Sequence, residues 1–78
     1  MIRIKCFGIA KEIVGAESLN LESDELTVGE LRSKMVAKYI EFTNIKGFMV
    51  AVNQEYAPDE ISINSRDEVA IIPPVSGG

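Results

Sequence analysis

The 78 residues, 46% hydrophobic and 26% charged, are enough for one globular domain with a modest core that needs neither disulfides nor metals. A formal net charge of −4, with no cluster of more than two Lys or Arg, argues against nucleic acid and against a polybasic membrane contact. The single cysteine makes no internal disulfide and suits a reducing cytoplasm. No continuous apolar stretch reads as a signal peptide or a membrane span, so a cytoplasmic protein is expected.

In chain order, "MIRIKCF" alternates with period two and predicts a strand. Ile2, Ile4 and Cys6 share one face, and Arg3, Lys5 and Phe7 share the other. "GIAKEIVGA" predicts a loop with one helical turn over 10–14 that stops at Gly15. "ESLNLES" predicts a short second strand with Leu19 and Leu21 on one face. In "LTVGELRSKMVAKY", Thr27 and Glu30 have the spacing of a capping box, and Leu26 and Leu31 that of a hydrophobic staple. The helix they open carries Val28, Leu31, Met35 and Tyr39 as an apolar stripe and fades by Glu41, with Gly29 weakening its first turn. "GFMVAV" predicts a strand apolar on both faces, turning at Asn53-Gln54-Glu55, and Pro58 excludes a central strand just beyond. "ISIN" is a very short strand or an extended loop. "EVAII" is the last strand, ended by Pro73, which has no N–H to donate to a ladder. This order predicts an α+β domain with one main helix across a mixed sheet, covering Ile2, Ile4, Cys6, Leu19, Val69 and Ile71.

The chemistry the chain lacks is informative. There is no histidine, so Ser-His and Cys-His nucleophiles and His-ligated metals are excluded. No glycine-rich loop has the spacing that cradles a nucleotide phosphate. The pairs Asp59-Glu60 and Asp67-Glu68 read as solvated turn residues. Cys6 is either a nucleophile or persulfide carrier, or a small core residue beside Ile2 and Ile4. Nothing near it in sequence would depress its pKa, which favours the core. What remains is "PPVSGG". Two prolines favour an extended arm, and two glycines pass where a Cβ would not, leaving the Gly78 carboxyl unhindered. On the residues alone, a working arm and a frayed tail both stand open.

"MIRIKCFGIAKEIVG", "LTVGELR", "VAVNQEY" and above all "DEVAIIPPVSGG" resemble the small, sulfur-carrier subunits of molybdopterin synthase, a ubiquitin-like β-grasp family, over nearly the whole length. The resemblance implies a β-grasp body over 1–72 and a projecting Gly-Gly tail over 73–78. It implies that Gly78 is adenylated by an ATP-using, ubiquitin-activating-like enzyme and converted to a thiocarboxylate. The tail then enters the large catalytic subunit of a heterotetramer, where sulfur passes to a pyranopterin precursor of the molybdenum cofactor. Gly77 would give access, and Pro73, Pro74, Val75 and Ser76 would form the arm. This chain would bind no cofactor itself. Side-by-side first and last strands, as in a β-grasp, would turn Phe7 and Ile72 outward together beside the tail, as a partner patch. Two features depart from the family: Arg66-Asp67 where Gly-Asp is frequent, and Ile71 and Ile72 where aromatics are frequent. Three other readings share the fold: a sulfur carrier for thiamine thiazole synthesis, a ubiquitin-like modifier joined to lysines, and an interaction module with an inert tail.

Overall fold

The computed structural model describes residues 1–44 and 47–74. The elements in order are β1 (Ile2–Cys6), α1 (Ile9–Val14), β2 (Ser18–Leu21), β3 (Glu25–Thr27), α2 (Val28–Lys38), a 3₁₀ turn (Ile40–Asn44), β4 (Met49–Val52), β5 (Glu55–Tyr56), β6 (Ser62–Asn64) and β7 (Val69–Ile72). One sheet runs in the order β2-β1-β7-β4-β5, and β3 and β6 form a separate antiparallel pair. β1 is parallel to β7 and antiparallel to β2, while β4 is antiparallel to β7 and to β5.

The period-two pattern of β1 is realised in full, with Ile2, Ile4 and Cys6 buried and Arg3 and Lys5 exposed. β7 follows the same rule: Val69 and Ile71 face inward, Ala70 and Ile72 outward. The two strands meet in register, Ile4 opposite Val69 and Cys6 opposite Ile71, so their inward residues form one apolar floor. α2 lies on that floor through Val28, Leu31 and Met35, all fully buried. Its start is local chemistry. The Glu30 N–H donates to Thr27 Oγ1 at 3.1 Å, and the Thr27 N–H donates to Glu30 Oε1 at 2.8 Å, which satisfies two N–H groups a helix start would otherwise leave open. Leu26 and Leu31 both sit in the core, as a staple requires.

Four differences from the sequence expectation are instructive. Leu19 is only half-buried and packs against the margin of the core, while Leu21 is the β2 residue that enters it, β2 being an edge strand. The helix stops at Lys38 and a 3₁₀ turn follows, carrying Phe42 into the core against Phe48 with ring centroids 5.3 Å apart. Glu25–Thr27 is a strand, paired with the "SIN" of β6. Glu55–Tyr56 is a strand too: Asn53 and Gln54, both at positive φ, make a two-residue turn that folds it back on β4.

Gly29 has a packing role. The segment around Asp59 approaches so closely that a Cβ there would stand 3.2 Å from Asp59 Cβ, and the Gly29 N–H donates to the Asp59 carbonyl at 3.0 Å. Arg32, one turn on, closes the same corner. Its Nε donates to Asp59 Oδ1 at 2.9 Å, its Nη1 donates to the Phe48 carbonyl, and its guanidinium lies 4.9 Å from the Phe48 ring centroid.

Candidate functional site

α2 covers one face of the sheet and leaves the other open. On the open face the register aligns Ala70 of β7 with Lys5 of β1 and Ala51 of β4, and Ala51 with Tyr56 of β5. The neighbouring row pairs Ile72 with Met49, and Phe7 follows directly after β1. Two alanines therefore floor a shallow groove of about 420 Å³, walled by Phe7, Ile72, Tyr56 and the Lys5–Glu68 pair. Phe7 is 50% exposed and Tyr56 64%, and Met49 is also exposed. Such a cluster of accessible apolar side chains with a small-residue floor suits the anchor of a protein partner. The Lys5–Glu68 pair, 3.3 Å apart and half-exposed, adds orientation more than energy.

The structure brings Phe7 and Ile72 together on this groove. Pro73 follows β7 and is half-buried; Pro74 is exposed. Val75, Ser76, Gly77 and Gly78 lie outside the described residues. Tyr56, Met49, Ala51 and Ala70 belong to the same surface and are missing from the residues proposed on sequence alone. The alternation of "MVAV" already placed Met49 and Ala51 on the face opposite Val50. Tyr56 needed the β4–β5 turn to be recognised.

The groove's end is held by a compact polar knot. Asn53 Nδ2 donates to Asp67 Oδ1 at 3.0 Å, the Glu68 N–H donates to Asn53 Oδ1 at 3.0 Å, and the Asn64 N–H donates to Asp67 Oδ2 at 2.8 Å. The Asn53 side chain, then the Asn64 backbone, hold the Asp67 carboxyl below the usual aspartate range. The acidic pairs thus act in structure: Asp67 ties a turn, Glu68 pairs with Lys5, and Asp59 pairs with Arg32. Cys6 is buried, and burial pushes its thiol up, away from the reactive thiolate. Among the described residues no group of three His, Cys, Asp or Glu is placed to hold a metal ion, and no helix is long and apolar enough to cross a membrane.

A mixed sheet with parallel β1 and β7 at its centre, crossed on one face by a single main helix, is the ubiquitin-like β-grasp. The chain belongs to the ThiS family, whose model matches residues 4–78. It is 42% identical over 81 residues to a molybdopterin synthase sulfur carrier subunit of Dictyostelium discoideum, covering 97% of this chain and 94% of that one. A subunit of the same description from Haemophilus influenzae is 32% identical over 81 residues, with both chains covered in full. Among solved structures, SAMP1 from Haloferax volcanii superposes with a TM-score of 0.79 at 26% identity, over 99% of this chain and 98% of that one.

Proposed function

We propose that this chain is the sulfur-carrier subunit of a molybdopterin synthase, acting in the cytoplasm, with its terminal Gly78 as the bearer of sulfur. The observation that carries this reading is the end-to-end match, at 32 to 42% identity, to proteins described as such subunits. The chemistry follows a division of labour. A carboxylate is a poor electrophile. An activating partner therefore lets a Gly78 carboxylate oxygen attack the α-phosphorus of ATP, and pyrophosphate leaves. Hydrosulfide delivered by that partner adds to the acyl carbon and AMP leaves, giving a thiocarboxylate. On the large catalytic subunit the thiocarboxylate sulfur bonds to a carbon of the pyranopterin precursor, displacing an oxygen leaving group. Water then adds to the Gly78 acyl carbon and the acyl C–S bond breaks, so that sulfur stays on the precursor and Gly78 returns to its carboxylate form. ATP is bound by the activating partner and the precursor by the large subunit. This chain supplies a rigid body, the docking groove at Phe7 and Ile72, and an arm from Pro73 through Pro74, Val75, Ser76 and Gly77.

The experiment is intact-mass analysis after incubation with ATP, the cognate activating enzyme and a sulfur source, followed by dithiolene formation with the large subunit. The unaltered chain gains the mass of one oxygen-to-sulfur exchange. Deletion of Gly78, addition of one alanine, and Gly77→Leu each abolish charging or transfer without changing thermal stability. One extra residue moves the carboxyl by about 3.5 Å, and about 1 Å of misplacement already costs about two orders of magnitude in rate. Near-normal activity in all three variants refutes the reading. Lysine-linked conjugates through Gly78, with no transfer to the precursor, identify a protein modifier instead.

A further inference from the structure

We propose that Gly8 is a positioning residue for the sulfur-bearing arm: its bare Cα is the seat on which the Pro73 ring rests, and that seat sets the direction in which the chain leaves the sheet. The inference rests on the carrier reading above.

The ladder between β1 and β7 ends with Cys6 opposite Ile71. Pro73 has no N–H with which to extend it. Beyond Ile72, packing has to take over from hydrogen bonding if the chain is to keep a defined course. Gly8 is where that packing occurs. A Cβ built on Gly8 would stand 3.2 Å from Pro73 Cγ, tighter than side chains ordinarily sit, and in ordinary contact with Pro73 Cδ at 3.9 Å, so the ring would have to give by a few tenths of an ångström. Gly8 also has φ 57° and ψ −133°, a combination that residues with a Cβ avoid. Two separate constraints, one on the backbone and one on the space above it, therefore favour glycine at the same position.

The seat is fixed to the body. The Cys6 N–H donates to the Glu17 carbonyl at 2.8 Å, the Ala10 N–H to the Phe7 carbonyl at 3.1 Å, and the Lys11 N–H to the Gly8 carbonyl at 3.1 Å. Ala10, two residues on, is fully buried. Gly8 is thus clamped between a central strand and an anchored helix, and it is Pro73 that must yield to any side chain added there. Proline couples ring placement to chain direction because its φ is locked, and Pro74 repeats the constraint. The five residues after Pro73 reach at most about 17 Å, so a tilt of about 10° at the root displaces the far end by about 3 Å. That is enough to take a reacting group out of register with a partner's site.

The test is steady-state sulfur transfer to the large subunit by full-length carriers. Their thiocarboxylates are prepared chemically, by hydrosulfide cleavage of a C-terminal fusion, so that charging is not a variable. The carriers compared are the unaltered chain, Gly8→Val, Pro73→Ala and the double variant. Gly8→Val lowers kcat by about 100-fold. Its KM for the carrier stays within about threefold, because the groove that docks the body is untouched. In the Pro73→Ala background, which lacks the Cγ that meets the new side chain, Gly8→Val costs less than about tenfold. Should Gly8→Val fail to fold, Gly8→Ala, whose Cβ still meets Pro73, shows the same split between kcat and KM at smaller amplitude. A folded Gly8 variant with unaltered kcat overturns the proposal. So does a loss confined to KM, or one of equal size in the Pro73→Ala background. If the unaltered thiocarboxylate transfers no sulfur, the carrier reading itself fails and the proposal falls with it.

Discussion

Ile71 and Ile72 are adjacent in β7 and chemically identical, yet the first has no exposed surface and the second lies half-exposed on the groove. The same contrast runs across the whole sheet. Ile2, Ile4, Val50, Val69 and Ile71 form the covered face with no exposed surface at all. Phe7, Met49, Tyr56 and Ile72, on the open face, remain accessible around two alanines. Hydrophobicity is therefore spent in two ways by one set of strands. On the covered face it stabilises the fold, because α2 removes it from water. On the open face much of it is left in water, where it contributes less folding free energy and remains for a partner to bury.

Replacing the two isoleucines tests that contrast most directly. Ile71→Ala leaves a cavity between β1 and β4, opposite Cys6 and Val50. It should cost about 2 to 5 kcal/mol of stability, and the melting temperature should fall by about 10 °C or more. Calorimetry checks it, and a shift of only a degree or two would mean that the covered face is not the main store of stability. Ile72→Arg and Phe7→Arg should do the reverse. Melting changes little, while affinity for the large subunit falls by about tenfold or more, as for removal of an interface anchor. Isothermal titration against that subunit reads the loss, and unchanged affinity in both folded variants removes this face from the interface.

The smallest effect belongs to the knot at the groove's end. The Asp67 pKa is lowered in the folded chain, first by Asn53 and then by the Asn64 N–H. A lowered carboxyl pKa contributes stability that is present above the unfolded-state value and lost as pH falls through the folded-state value. Melting temperature should therefore decline below about pH 4, and Asp67→Asn should flatten that decline, because it removes the contribution present at neutral pH and has less effect in acid, where the carboxyl is already protonated. A melting profile from neutral to acid pH checks this, and an identical acid slope in the variant would assign the decline to other carboxylates.

Much of this was legible in the residues. Alternation in "IRIKC" and "VAII" sorts each side chain to a face before any partner strand is known, because successive side chains of a strand must point to opposite sides. Thr27 and Glu30 announce the helix start for a similar reason: both partners of the capping box lie within one turn. Phe7 and Ile72 could be paired once β1 and β7 were taken as parallel neighbours. Glu25–Thr27, by contrast, has one apolar residue between two polar ones, too short for a period to show. It becomes a strand only because Ile63 is carried opposite Leu26.

The alternating faces and the capped helix could be read from the residues, because both depend on interactions within a few positions of the chain. That Phe42 completes the core from a 3₁₀ turn, that Tyr56 joins the groove through the Asn53-Gln54 turn, and that Gly8 lies under Pro73 depends on the folded chain. Those contacts join segments distant along the chain. Their geometry is set when the parallel pairing of β1 and β7 closes the loop between the first and last strands, and no local pattern encodes that closure.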